Sequence, residues 1–188
     1  MVTPVKGMSS RAVQAERTRQ QILETAQRLF TELGYDATSL QMIADEMGLT
    51  KAAVYYHFRA KSDILHATIK PGIQRLEALL DEAAGMRGRR ARMEHMVDGL
   101  VDFLVRHRLY TAMAATDPAA KRNKLDSEAN TLAQRAITLF FGENPTGAER
   151  LAFRMLFFIP QCLPDLADLS DEELREALKA TILRMLRA

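Results

Sequence analysis

The chain has 188 residues, of which 47% are hydrophobic and 27% charged, so it is long enough to bury one large core or two small ones. Few glycines and prolines and a scarcity of strand-forming runs predict an all-helical protein. Cys162 is the only cysteine, which excludes a disulfide within the chain and a clustered thiol site for zinc, and favours a reducing cytoplasm. We expect neither a signal peptide nor a membrane span, because no run approaches the ~20 apolar residues of a spanning helix.

The net charge of +2 does not by itself indicate a nucleic-acid partner. Residues 1–62 hold eight Lys and Arg against six Asp and Glu, whereas residues 71–188 hold seventeen of each. The small positive excess therefore lies in the N-terminal part, where the placement of individual cations matters more than their sum.

The first periodic segment follows an irregular start. Residues 1–15 lack periodicity and are predicted to be a flexible tail. A first helix is predicted from about Glu16 to Leu33, ended by Gly34. Its apolar stripe consists of Ile22, Ala26, Leu29, Phe30 and Leu33. We expect this helix to support a small N-terminal domain.

Residues 38–61, TSLQMIADEMGLTKAAVYYHFRAK, are predicted to form two short helices joined by a turn. Thr38 and Gln41 have the spacing of a capping box for the first helix. Gly48 stands where the helix end needs a left-handed residue, and Thr50 is a cap for the second helix. This pattern is typical of a helix-turn-helix, whose second helix meets base edges, but an αα-hairpin in a helical core has the same spacing.

The surrounding residues carry a resemblance that favours the first interpretation. The run GLTKAAVYYHFRAKSDIL, preceded by RTRQQILETAQRLFTELGYDATSLQMIADEMG, resembles the DNA-binding domain of the tetracycline-repressor (TetR) family over about residues 16–66. The shared features are the pattern ILxxAxxLFxxxGYxxTS, the YYHF end of the recognition helix and the lysine after it. The resemblance implies DNA contacts at Ser39, Gln41, Thr50, Lys51, Ala52, Ala53, Tyr55, Tyr56, His57 and Lys61. Lys61 is expected to contact a phosphate, and Tyr55 and Phe58 are also compatible with the core.

Ser62 is predicted to cap a fourth helix, and Pro71 predicts a kink or break near residues 70–72. We therefore divide the chain into a helix-turn-helix domain at residues 16–66 and a C-terminal domain at 67–188. Further helices are predicted at about residues 91–107 and 109–115. Asp117 with Pro118 predicts the start of another, either continuous or beginning again near Asp126, that stops at Gly142. The complete architecture is all-α, with about nine helices: a three-helix helix-turn-helix domain followed by a helical effector and dimerisation domain.

The last two helices, at about residues 147–163 and 171–187, are predicted to form a homodimer interface. Thr146 with Glu149, and Ser170 with Glu173, are capping pairs for them. The first of these helices is apolar on every side, so a second subunit is needed to cover it. Dimerisation through the last two long helices is also what the TetR resemblance implies.

The resemblance further implies a small-molecule effector within the C-terminal domain. The candidate lining residues are apolar or adaptable: Met93, Met96, Leu100, Phe103, Tyr110, Met113, Phe153, Phe157 and Cys162. For each of them ordinary core packing is the alternative. We expect an apolar ligand, with a polar end near His95, His107 or Gln161.

Catalysis is not expected, because the sequence has no glycine-rich phosphate loop, nucleophile elbow or paired-carboxylate motif. The four histidines do not have metal-ligand spacing, so no metal or cofactor is predicted. The function predicted is a cytoplasmic, homodimeric, ligand-responsive transcriptional regulator, a repressor released from a near-palindromic operator. The alternative is a DNA-bound adaptor that is controlled by a protein partner without a small effector.

Overall fold

The computed structural model describes residues 10–116 and 124–187. Every secondary-structure element in these ranges is a helix or a helical turn, which confirms the all-α prediction. The chain divides into two compact units, Met1–Thr68 and Ile69–Ala188. None of the helices in the described ranges is long and apolar enough to cross a membrane. The predicted tail up to residue 9 and the predicted helix start at Asp117 and Pro118 lie outside the described residues.

The first unit contains α1 (Ser10–Leu33), α2 (Leu40–Glu46), α3 (Lys51–His57) and the start of α4 (Lys61–Gly85). Its apolar core is formed by side chains that are 0–3% exposed: Ile22, Ala26, Phe30, Ile43, Ala44, Val54, Phe58, Ile64 and Leu65. Helix α1 begins at Ser10 rather than near Glu16, so the tail prediction is wrong for residues 10–15.

The turn before α2 is held differently from the prediction. Ser39 is the N-cap of α2, because its hydroxyl accepts the Met42 N–H at 3.1 Å. Thr38 is instead buried, and its hydroxyl donates to the carbonyl oxygen of Gly34 at 2.8 Å and to that of Leu29 at 3.3 Å. The predicted capping box of Thr38 with Gln41 is therefore wrong. Thr38 ties the turn to α1, and its neighbour caps the helix.

The start of α4 also has a different cap. The carboxylate of Asp63 accepts the N–H groups of Arg59 and Ala60, both at 3.0 Å. Ser62, the predicted cap, is a buried residue of the first turn of α4. Pro71 lies inside α4, which continues to Gly85, so of the predicted kink or break near residues 70–72 the break is wrong, and the kink stays a prediction.

The second unit contains the rest of α4, α5 (Arg89–Arg106), α6 (Arg108–Thr116), α7 (Lys124–Phe141), α8 (Gly147–Met155), α9 (Ile159–Cys162) and α10 (Asp171–Arg187). Its core joins α5, α7, α8 and α10 through buried residues that include Val97, Val101, Leu104, Ala136, Phe140, Phe153, Leu174, Leu178 and Ile182. Helices α4 and α5 approach closely at two glycines. A Cβ at Gly99 would lie 2.1 Å from Leu79 Cδ1, and one at Gly72 would lie 2.5 Å from the Phe103 ring.

The single helix predicted at residues 147–163 is divided into several pieces. Helix α8 is followed by a 3-10 turn at Leu156–Phe158, the short α9 and a second 3-10 turn at Leu163–Leu166. Pro160 and Pro164 lack the N–H that a regular helix would use, which accounts for the irregular path. The two capping pairs are confirmed, because the Thr146 N–H donates to Glu149 at 2.8 Å and the Ser170 N–H donates to Glu173 at 2.9 Å. The donated Thr146 N–H and hydroxyl lower the pKa of the Glu149 carboxyl.

We expect Thr38→Val to lower the free energy of unfolding of the first unit by about 1–2 kcal/mol, because the carbonyl oxygens of Gly34 and Leu29 lose a buried donor. Urea denaturation followed by circular dichroism measures this change. Thr31→Val is the matched control: the exposed Thr31 hydroxyl makes a comparable bond to the Gln27 carbonyl at 2.9 Å, and its loss should change stability by less than about 0.5 kcal/mol. Equal effects of the two substitutions would show that the buried bond has no special role.

Candidate functional site

The turn between α2 and α3 fixes the N-terminal end of α3. Thr50 has extended backbone angles (φ −74°, ψ 150°), and its hydroxyl accepts the Ala53 N–H at 3.2 Å, which confirms the predicted cap. Gly48, in the turn between α2 and α3, has a left-handed φ of 63°, as predicted. The Leu49 N–H donates to the Ala44 carbonyl at 2.8 Å and fastens the turn to α2. These local bonds fix the direction in which α3 leaves the turn.

Helix α3 has one buried face and one exposed face. Val54 is 0% and Phe58, at the C-cap, 3% exposed, and the Arg19 guanidinium of α1 lies 4.9 Å above the Phe58 ring. The predicted contact residues of the recognition helix lie mostly on the opposite face. Lys51, Ala52, Tyr55 and Tyr56 are exposed, whereas Ala53 and His57 are half-buried.

The exposed face presents aromatic and cationic groups to solvent. Tyr56 is 82% and Tyr55 42% exposed, so of the two core candidates only Phe58 belongs to the core. Lys51 Nζ lies 5.5 Å from the Tyr55 ring centroid, and the Tyr56 and His57 rings meet edge to face at 5.1 Å. Phenolic hydroxyl, imidazole and ammonium groups are donors suited to phosphates and base edges. Contact of these residues with DNA stays a prediction.

Lys61 has partners within the first unit. Its ammonium donates to the carbonyl oxygens of Tyr35 at 2.5 Å and Asp36 at 3.3 Å, and it lies 4.4 Å above the Tyr35 ring. The ammonium therefore fastens the turn after α1 to the start of α4, a role that the sequence did not reveal. A lysine ammonium has three donors, so a phosphate contact at Lys61 is compatible with this arrangement and stays a prediction.

The two candidates at the start of α2, Ser39 and Gln41, are less available. The Ser39 hydroxyl accepts the Met42 N–H, although its own proton is left to donate. The Gln41 amide donates to the Asp45 carboxylate at 2.6 Å, one turn further along the exposed side of α2. A carboxylate beside Gln41 opposes a phosphate there, so we expect the main contacts on α3.

The second unit contains an apolar cavity of about 240 Å³, open on one side, between α4, α5, α7, α8, α10 and the segment after α8. Every lining residue is apolar: Ile73, Leu76, Met93, Met96, Val97, Leu100, Phe103, Leu104, Leu132, Ala133, Ala136, Phe140, Phe153, Leu156, Phe157, Pro160 and Leu186. Six of the nine predicted ligand residues are in this set, namely Met93, Met96, Leu100, Phe103, Phe153 and Phe157. Tyr110, Met113 and Cys162 are outside it. The sequence missed the contribution of α7, because periodicity identifies a core face without saying where that core leaves space.

The polar groups expected at one end of the ligand do not line this cavity. His95 and His107 line a separate cleft that shares Leu76 and Phe103 with it, and Gln161 is exposed elsewhere. Burial lowers the pKa of the His107 imidazole, and the neighbouring Arg106 lowers it further. No group of three or more His, Cys, Asp or Glu side chains within the described residues is arranged to hold a metal ion.

Comparison with known proteins is most specific over the first unit. Residues 22–68 match the family model of bacterial regulatory proteins of the tetR family. These residues form a domain of the tetR-family type. The HTH-type transcriptional regulator AcrR of Shigella flexneri is 49% identical over 51 residues, which are 27% of this chain and 24% of that protein. TtgR of Pseudomonas putida, also an HTH-type transcriptional regulator, is 39% identical over 56 residues, or 30% of this chain and 27% of that protein.

The matched segments span about a quarter of the length of these curated relatives. Over nearly the whole chain the likeness is to solved structures of TetR-family regulators. One is a TetR/AcrR-family regulator from Thermobifida fusca, with a TM-score of 0.62 and 25% identity, covering 89% of this chain and 97% of that one. The relatives named here are transcriptional regulators rather than enzymes, in agreement with the sequence prediction.

The roles of Lys51 and Lys61 can be distinguished by how their substitution changes the salt dependence of DNA binding. Lys51 faces solvent, whereas the Lys61 ammonium is bound to the turn after α1. We expect Lys51→Ala to reduce the slope of log K against log salt for DNA binding by about 0.9, the loss of one phosphate contact. We expect Lys61→Ala to lower the free energy of unfolding and to change the slope less. Fluorescence anisotropy across a salt series, with urea denaturation of each variant, measures both quantities. A full unit of slope lost in Lys61→Ala with unchanged stability would contradict the anchoring role.

Proposed function

We propose that the protein is a homodimeric transcriptional repressor that binds a near-palindromic operator and is released by an apolar small molecule. The observation that supports the DNA-binding part of the proposal is that α3 has one buried face and one exposed face. Val54 and Phe58 fix the helix to the first unit, while Lys51, Tyr55 and Tyr56 remain accessible. A short helix held in this way suits the major groove, where the residues of its first turns meet base edges.

Two copies of α3 are needed for a palindromic site, and an apolar surface in the second unit supports dimerisation. Leu151, Met155 and Phe158 are 63%, 50% and 60% exposed and follow one another at helical spacing; we name them the apolar patch. Adjacent exposed apolar side chains of this size are typical of protein–protein contacts. We assign the patch, together with the outer side of α10, to the dimer interface, so that two recognition helices lie about 34–36 Å apart.

The cavity supports the ligand-responsive part of the proposal. Its lining has no charged side chain, hydroxyl or amide, so it favours an apolar ligand body. Methionines at positions 93 and 96 add adaptable walls. If the ligand binds best to a conformation with the wrong spacing of recognition helices, then operator and ligand weaken each other by the same factor.

Helix α4 is the covalent link between the two units, and it touches the cavity through Ile73 and Leu76. Pro71 removes one backbone hydrogen bond from α4, which makes this the point of least resistance to bending. The neighbouring Gly72 lies against the ring of Phe103, another lining residue. We propose that a ligand in the cavity acts on α4 at this point.

The ligand-responsive part is tested with N-phenyl-1-naphthylamine, a neutral apolar fluorescent probe. We expect saturating probe to raise the melting temperature, by mass action on the native state, and to lower the affinity for an operator selected from random duplexes. We expect Ala133→Leu, which places a larger side chain in the cavity, to abolish both effects. Ala84→Leu, an exposed change on α4, is the matched control. A melting temperature that does not respond to the probe favours the adaptor alternative, in which a protein partner controls the DNA-bound protein.

The dimer interface is tested by Leu151→Glu, which places a charge in the apolar patch. We expect the dimer to weaken by about 2 kcal/mol or more, the size of an interface hot spot, and operator affinity to fall with it. Sedimentation velocity over a concentration series measures the dissociation constant. Leu109→Glu alters an exposed leucine on α6 and should leave the dimer intact. Dissociation in the α6 variant alone would place the interface elsewhere.

A further inference from the structure

Two buried side chains separate the apolar cavity from a second cleft of different character. Met93 and Leu186, each 5% exposed, line both spaces. On the far side of this wall the cleft occupies about 390 Å³, and its other lining residues are Arg89, Arg90, Glu94 and Leu183. A methionine wall is deformable, because its unbranched thioether side chain has three rotatable bonds. A ligand that displaces the Met93 side chain therefore reaches both spaces at once.

Among its lining residues the second cleft has more positive than negative groups, although each guanidinium already has a carboxylate partner. Two guanidinium groups face one lining carboxylate, that of Glu94, which accepts from Arg90 Nε at 2.9 Å. Arg89 pairs with Glu149 at 3.5 Å and lies 5.2 Å above the Phe141 ring, which holds it in place. A guanidinium has five N–H donors, and the Arg90 side chain is 81% exposed, so its remaining donors are accessible to an added anion.

The cleft that His95 and His107 line has no such excess among its lining residues. It shares Leu76 and Phe103 with the cavity, but two carboxylates and two guanidinium groups balance one another in its lining. Of these, Asp102 pairs with Arg106 at 3.9 Å and also with Arg175 of α10. An anionic group gains more beside the two arginines than in this balanced cleft.

We propose that the ligand is an anionic amphiphile whose alkyl chain fills the apolar cavity and whose carboxylate is bound by Arg89 and Arg90. The inference rests on the proposed ligand-responsive function and specifies the chemical class of its effector. The cavity is larger than the ~150 Å³ that accommodates benzene in an engineered apolar site, so it has room for a medium-length chain. A chain of this kind needs no hydrogen bond from the lining, and a carboxylate forms charge-assisted bonds with guanidinium groups.

The test compares three ligands with a ten-carbon skeleton, counting the carboxyl carbon of the acid and the ester, that differ at the head: decanoate, methyl decanoate and decylamine. Each is titrated below its micelle concentration into the full-length protein with bound N-phenyl-1-naphthylamine, and displacement of the probe gives its dissociation constant. The protein contains no tryptophan, so its own emission interferes little. We expect decanoate to bind at least about fivefold more tightly than the methyl ester, with decylamine weakest, and the preference to shrink at high salt.

Substitution of individual arginines tests which residues cause the preference for decanoate. Arg90→Gln should remove most of the preference for decanoate over the ester while leaving the affinity for the ester unchanged. Arg87→Gln removes an exposed arginine that does not line the cleft and should keep the preference. Arg89→Gln is expected to act like Arg90→Gln, with its fold checked by circular dichroism because Arg89 also contacts Glu149 and Phe141.

The outcomes that contradict the inference are distinct from one another. If the acid and the ester bind equally and both displace the probe, the anionic head is wrong, whereas the apolar ligand site stands. A preference that survives in the Arg89→Gln, Arg90→Gln double variant also overturns the assignment of the head. If neither the probe nor any of the three ligands binds, the ligand-responsive function itself fails and the inference fails with it.

Discussion

Burial of Val54 and Phe58 is the constraint on which presentation of α3 depends. A helix of seven residues is too short to be stable in water, since nucleation costs more than so few hydrogen bonds return. Helix α3 is therefore stable because its inner face packs against the rest of the first unit. Its outer face is not needed for that packing. Tyr56 illustrates the result, because a large aromatic ring that is 82% exposed adds nothing to the core. Its exposure is consistent with a role in recognition.

The supports of α3 form a chain of local bonds. Thr38 ties the turn after α1 to that helix, the Lys61 ammonium binds the same turn from α4, and Asp63 caps α4. None of these groups lies on the outer face of α3, yet each limits where that face points. Substitutions at these residues should change DNA affinity by changing the stability and orientation of α3. Where they remove no phosphate contact, the salt dependence of DNA binding distinguishes them from substitutions of direct contacts.

The sequence predicts the fold class, most helices and the caps at Thr50, Thr146 and Ser170, because capping and apolar periodicity are local properties. It fails where packing decides between local alternatives. Thr38 and Ser39 are adjacent potential N-caps of α2. Ser39 is the N-cap because Thr38 is buried and its hydroxyl bonds to α1 and the turn. Pro71 predicts a break in a helix that in fact continues, whereas the segment that contains Pro160 and Pro164 is irregular although a single helix is predicted there. The cavity is predicted only in part, since no periodicity shows that the alanines of α7 are too small to fill the space between α7 and α5.

The irregular segment after α8 connects two features that the sequence predicts separately. Leu156, Phe157 and Pro160 line the cavity, while Met155 and Phe158, their neighbours in sequence, belong to the apolar patch. The 3-10 turn at Leu156–Phe158 places Leu156 and Phe157 at the cavity and leaves Phe158 60% exposed at the surface. A ligand that presses on Phe157 therefore acts on the same few residues that we assign to the dimer contact. By linkage, any ligand that binds the dimer and the monomer differently must also change the dimerisation constant, so the cavity and the interface have to be measured together.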